Sequence, residues 1–288
     1  IEAADNYAVL HAGAATHPVV QRVESVDAVQ MAFDAIAYNK GEAVIRMIEQ
    51  AVGETDFRAG IRSYMRKHAY SNTVTDDLWR ELESASGKPI TAIAHDFTLQ
   101  PGVPLVTVES AECSAGMTRL TLTQSRFETD GRSAERVAWR IPIHARSIDG
   151  ESDARLVMEK DGPATLSVRG CGPVVVNAGQ SGYFRTLYPP LQLARLRSNF
   201  ARVQPIDQLG MLSDASALGN VTLVPATSYL DLSSYVPVDG DPVVWSLVAG
   251  KLAAIDRVFD GSPEQADWRK LARSRIEPQF GRVGWTAA

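Results

Sequence analysis

Cysteine is scarce: Cys113 and Cys171 are the only two in 288 residues, too few for a scaffold stapled by several disulfides. No apolar run approaches the roughly 20 residues needed to span a bilayer, so no transmembrane segment is expected in this chain. Positive charge is short as well, with 29 Lys and Arg against 34 Asp and Glu and a net charge of -5. Phosphate binding needs basic charge gathered on one face, so a nucleic-acid partner is not expected. Histidine is thin and scattered, at His11, His17, His68, His95 and His144. None of these stands at i, i+4 to a second ligand or in zinc-ribbon spacing, and no H-E-x-x-H occurs, so no metal is expected to be bound by this chain. No Gly-x-Ser-x-Gly elbow is present either. Gly179-Gln180-Ser181-Gly182 comes close in spelling but precedes a strand, and reads as a turn. Lys40-Gly41 lacks the preceding glycines of a phosphate loop.

What remains is ordinary globular material, 45% hydrophobic and 22% charged, in three segments that together predict a multidomain α+β fold. Residues 1–101 read as helical. One helix starts near Tyr38 and is stopped by Gly53, with Ala43, Val44, Met47, Ile48 and Val52 as its apolar face. A second starts at Thr55-Asp56 and carries Phe57, Ile61, Tyr64 and Met65. A third takes Thr75 as its N-cap, with Asp76 and Asp77 in the first turn and Leu78 and Leu82 buried. A fourth follows Pro89 with Ile90, Ile93, Ala94 and Phe97, and Pro101-Gly102 breaks the pattern.

Over 102–188 the period changes from 3.6 to 2. Leu120 and Leu122 alternate with Thr121 and Thr123, while Val137, Trp139, Ile141 and Ile143 share one face and leave Arg140 and His144 to the other. Seven or eight short strands separated by turns predict a small β-sandwich, with Pro142 at an edge or bulge. Residues 189–288 return to helices. Asp241-Pro242 and Ser262-Pro263-Glu264-Gln265 are start signals, the second a capping box, and helix pairs of this kind can stack into a solenoid.

Cys113 and Cys171 admit one pairing, and a loop of that length would contribute about 4 kcal/mol in the chain-entropy model. A bond between them points to an exported, oxidising location. Two separate thiols, the alternative, leave the chain at home in the cytoplasm.

Phe33-Asp34-Ala35-Ile36-Ala37-Tyr38-Asn39-Lys40-Gly41 resembles the active-site tyrosine segment of the aminopeptidase N family of zinc metallopeptidases. The order of other segments is similar to that family: His17-Pro18 upstream, then Phe57-Arg58-Ala59-Gly60, Tyr64, 68–72, Asp77-Leu78-Trp79, Gln100-Pro101-Gly102-Val103-Pro104-Leu105 and Asn177 to Arg185. The resemblance implies that 1–101 is the helical end of a thermolysin-like catalytic domain and 102–188 a β-sandwich. It also implies that 189–288 is the start of a solenoid-like C-terminal helical domain. It further implies zinc in the intact enzyme, held by an H-E-x-x-H and a glutamate that lie upstream of Ile1, and peptides as substrates. Tyr38 is then the catalytic residue of this chain. A phenol with pKa about 10 keeps its proton at neutral pH and can donate to a developing oxyanion. The chain alone is expected to be inactive. The competing reading is a non-catalytic binding or scaffold module that uses the sandwich for recognition, an analogy at the level of fold.

Overall fold

The computed structural model describes residues 16–284 apart from 24, 27–28, 30–31, 130–136 and 151. His11 and Trp285 lie outside the described residues. Two compact units divide at Leu193/Ala194.

In the first unit a π-helical turn, Ile36–Lys40, leads without a break into helix α1, Gly41–Val52. Gly53 at φ 98° stops it, and Val44, Met47, Ile48 and Val52 are buried as the apolar spacing predicts. Each such side chain contributes about 1.5–3 kcal/mol on burial. Helix α2, Glu54–Lys67, is held differently. Its predicted stripe is only half-buried, Met65 is exposed, and Gly60 is its one buried residue. A Cβ there would come within 3.0 Å of Leu82 Cα, so the missing side chain lets α2 lie directly against helix α3, Thr75–Ser86. Helix α3 buries Trp79 and Leu82 rather than Leu78 and Leu82. Its start also differs from the expectation. Thr75 is already helical, and the Val74 N–H is capped by Asp77 Oδ2 at 3.0 Å. Helix α4, Ile90–Thr98, starts after Pro89 and buries Ile90, Ile93, Ala94 and Phe97.

Seven strands follow among the described residues, in two sheets. β1 (Val103–Ser114), β2 (Met117–Phe127), β5 (Ala164–Arg169) and β7 (Arg185–Leu187) form one, in the order β5-β2-β1-β7. β3 (Ile141–Ser147), β4 (Asp153–Met158) and β6 (Val174–Val176) form the other, in the order β4-β3-β6. β1 and β2 are antiparallel from Val103↔Phe127 to Ser114↔Met117 and turn through Ala115 and Gly116, both at positive φ. β7 joins β1 in parallel, Leu105 opposite Arg185. On β2 the alternation holds, with Thr118, Leu120 and Leu122 buried. Pro142 faces Val157 of β4, and β6 pairs only with Ala145 to Ser147, so no ladder bond is asked of its ring nitrogen.

His144, placed by the alternation on the face opposite Ile141 and Ile143, is buried, and Nδ1 lies 2.8 Å from the Ala178 carbonyl oxygen while Nε2 lies 2.9 Å from Asp153 Oδ2. Gln50 of α1 approaches the same ring, so that second face is covered by a helix. Val137 to Arg140 lie before β3 rather than in it, and Trp139 is docked by its N–H to Gln124 Oε1 at 2.9 Å. A disulfide joins Cys113 at the end of β1 to Cys171 just after β5, with Cα atoms 5.4 Å apart.

The second unit begins within helix α5, Pro190–Ser198. Its core surrounds helix α6, Pro205–Asn220, which buries residues on every side, among them Leu209, Met211, Leu212 and Leu218. With buried residues on every side, polar Asp207, Gln208 and Ser213 among them, its sequence shows little amphipathic contrast. A short helix that the sequence did not announce, α7 (Ser228–Ser233), packs Tyr229 and Leu232 inward. Helix α8, Pro242–Val258, starts as expected: Asp241 accepts the Val243 N–H at 2.8 Å, and Val244, Val248 and Leu252 are buried. Helix α9, Gln265–Val283, starts later than its capping-box spelling suggests. Ser262 to Glu264 form a turn, the buried Ser262 hydroxyl makes no cap, and the Gln265 side chain donates instead to the Asp256 carbonyl.

Candidate functional site

Tyr38 sits in the middle of the π turn, with its side chain 61% exposed and its ring 6.2 Å from that of Phe33. The wider π spacing puts an extra residue into the first turn, and such turns recur at functional sites. The turn is fastened at its start by Asp34. One carboxylate oxygen accepts the Ala37 N–H at 2.8 Å, the other lies 2.5 Å from His17 Nε2, and the Asp34 carbonyl accepts the Tyr38 N–H at 3.1 Å. Partial burial pushes the Asp34 carboxyl up, but the Ala37 N–H, the His17 ring and the Ile36 N–H together hold it below the usual carboxylate value. His17 does turn the chain with Pro18: its Nδ1 lies 2.8 Å from the Pro18 carbonyl oxygen, and two residues on, the Val20 N–H bonds to Thr98 at the end of α4.

At the other end of the turn stands Lys40, 1% exposed. Its ammonium group donates to the Gln100 and Gly102 carbonyls at 2.9 and 3.1 Å and lies 5.6 Å from the centre of the Tyr183 ring. Burial, and then the positive charge of Arg126, push its pKa down to about 7. Burial likewise pushes the Tyr183 phenol well up, against a small opposing effect of Arg185. Sequence reading passed over Lys40 because lysine is seldom fully buried. A signal was nonetheless there: Ile36, Lys40, Val44 and Ile48 recur every four residues, and the lysine occupies a position in that apolar row.

The other histidines do not converge on Tyr38. His95 Nε2 lies 2.7 Å from Asp76 Oδ1, His144 pairs with Asp153, and the His68 ring packs on Tyr64 at 5.3 Å. Among the described residues no group of three or more His, Cys, Asp or Glu gathers to hold a metal. Among the described residues each histidine–carboxylate pair is one donor short of even a three-ligand site. Ser181 lies beside a 3-10 turn closed by Asn177, whose Oδ1 accepts the Gly182 N–H at 2.8 Å, and does not stand at a strand-to-helix elbow.

Comparison with known proteins places these features. Residues 1–97 match the Peptidase family M1 domain, and residues 173–288 match the ERAP1-like C-terminal domain. Aminopeptidase M1-A of Oryza sativa is 30% identical over 96% of this chain and 32% of its own length. Aminopeptidase 2 of Candida albicans is 27% identical over 94% of this chain and 30% of its own. The puromycin-sensitive aminopeptidase of Caenorhabditis elegans is 29% identical over 93% of this chain and 29% of its own. The chain thus spans about a third of the length of the relatives it matches.

Proposed function

Since this chain belongs to the M1 peptidase family, we propose that it forms part of a zinc-dependent aminopeptidase in which Tyr38 stabilises the oxyanion formed when an N-terminal residue is hydrolysed from a peptide. In this reading 1–101 is the helical end of a thermolysin-like domain, 102–188 a β-sandwich made by the two sheets, and 189–288 the opening of a solenoid-like helical domain. The metal's ligands are not among the residues described here, and this chain's contribution is the phenol. A neutral hydroxyl can donate to negative charge that appears only in the transition state, so it lowers the barrier without tightening substrate binding. The observation that carries the reading is the exposure of Tyr38 on a turn fastened at both ends, where its ring is free to meet a substrate. A buried hydroxyl there would have argued for packing alone.

The test is Tyr38→Phe in the polypeptide that includes the zinc site. Loss of one oxyanion donor lowers kcat on the order of 100- to 1000-fold. KM and zinc content should change little. Wild-type turnover would remove Tyr38 from the reaction.

A binding role without catalysis is the second reading, and one observation favours it: a largely apolar cleft of about 220 Å³ lined by Met47, Ile90, Ile93 and Ile143, with Gln50 and His144 at its polar side. Fluorogenic amino-acid amides and metal analysis on this chain separate the possibilities. Turnover by these 288 residues alone would place the metal site within them and overturn the proposal.

A further inference from the structure

We propose that Lys40 is a positioning residue for Tyr38, its buried side chain pinning the π turn to the Gln100–Gly102 chain segment and the Tyr183 ring and so fixing the direction of the phenol. The inference rests on the catalytic reading of Tyr38.

The geometry is specific. Lys40 is the last residue of the turn whose third residue is Tyr38, and the next amide, that of Gly41, returns to the Tyr38 carbonyl. The turn therefore has little freedom between phenol and amine. The partners of that amine lie 60 and 62 residues further along, in the irregular stretch that carries the chain from α4 into β1. Tyr183, the third partner, stands two residues before β7, which lies beside β1. Three separate segments thus meet on one nitrogen. Among the described residues its partners are carbonyls and a ring, with no carboxylate to neutralise it, an expensive place for a cation if only packing were required. Its lowered pKa fits that placement, since a neutral amine still carries two N–H groups for two carbonyls. At the opposite end Asp34 holds Ala37, so the turn is pinned on both sides of the residue that would meet substrate. A small displacement of a reacting group is enough to cost on the order of 100-fold in rate. Lys40 would act through this placement and not by touching the substrate.

Two variants and two measurements test this. Lys40→Gln is one bond shorter, so its amide cannot reach both carbonyls; Lys40→Arg keeps the reach and the donors. In this chain, amide hydrogen exchange over 36–41 should accelerate in Lys40→Gln while α2 and the two sheets keep their protection. In the polypeptide with the zinc site, kcat should fall between about 10- and 100-fold in Lys40→Gln with KM within about twofold. Lys40→Arg should restore most of the loss. Added to Tyr38→Phe, Lys40→Gln should lower kcat no further, because two groups that act through one phenol are not additive. Unchanged exchange, an unchanged kcat, an arginine no better than glutamine, or a full further loss in the Tyr38→Phe background would each overturn the positioning role. Wild-type turnover in Tyr38→Phe would instead sink the reading on which it rests, while an inactive Tyr38→Phe beside a fully active Lys40→Gln would sink Lys40 alone.

Discussion

The two units of this chain are held together by different chemistry. The unit that ends at Leu193 is tied across long sequence distances by polar and covalent links: Lys40 to Gln100 and Gly102, Asp96 to Arg140 and Lys160, and Cys113 to Cys171. The unit that begins at Ala194 packs around α6, with polar links that span short sequence distances, such as Gln208 to the Phe200 and Val203 carbonyls, and its last helix, α9, is held by the buried Trp268, stacked on Phe259 at 5.8 Å, and by the ion pair of Arg269 with Asp256. Cross-links fix orientation, which a residue aimed at a reacting carbonyl requires. Apolar stripes tolerate sliding and exchange of side chains, which suffices where only a surface is presented.

The disulfide gives the largest test of this contrast. Cys113 and Cys171, 58 positions apart, close a loop that contains the whole of β2 to β5. Replacing both by serine should destabilise the first unit by about 4 kcal/mol, within the range for native disulfides. Hydrogen exchange resolved by segment should register the loss in β1, β2 and β5 and leave the protection of α6 unchanged. An equal loss in α6 would show that the two units unfold together and remove the comparison.

Much of the fold was legible because local pattern and tertiary role agreed. Val44, Met47 and Ile48 form the inner face of α1 as spaced, and Leu120 and Leu122 alternate into the core as spaced. Asp241-Pro242 starts a helix because both of its signals act within three residues. The misreadings share a cause. Period 2 put His144 on the face opposite Ile143 without saying what covers it, and α1 does. Ser262 spelled a cap, but the turn before α9 left its hydroxyl without that bond. Tyr38 could be singled out by resemblance, yet nothing local announces the π spacing, and the apolar row that includes Lys40 hints at its burial without naming what it meets. The partners of that lysine lie beyond any window in which periodicity is read.

Acid should reach the first unit before it reaches the second. The Arg146 guanidinium, and then the His144 ring, hold the Asp153 carboxyl down at about 2 against the partial burial that pushes it up. A depressed carboxylate adds stability above its unfolded value of 3.8, and that contribution is lost as pH falls from there through about 2. Full linkage for a shift of this size would be between about 2 and 3 kcal/mol, but the carboxylate is 38% exposed, so solvent screening reduces it to about 1 kcal/mol. Asp153→Asn should flatten the acid limb of the first unit's denaturant midpoint between about pH 4 and 2. An unaltered limb would mean that the pair with His144 and Arg146 holds no net stability.

The smallest effect should come from the end of the second unit. Arg269 reaches Asp256 with two bonds of 2.9 Å, and its guanidinium is half-exposed, where an ion pair competes with water and salt. Pro278 inside α9 removes one backbone donor, and Leu271 and Phe280 remain exposed, so Trp268 and the bonds from Gln265 and Arg269 to Asp256 are the described links from this helix to α8 and its end. Arg269→Ala should therefore speed amide exchange in α9 alone, with the change shrinking as salt is raised, and leave α6 and the whole first unit untouched. Should this one exposed pair instead protect α6, the second unit would be cross-tied in the manner of the first, and packing around α6 could no longer be credited with holding it.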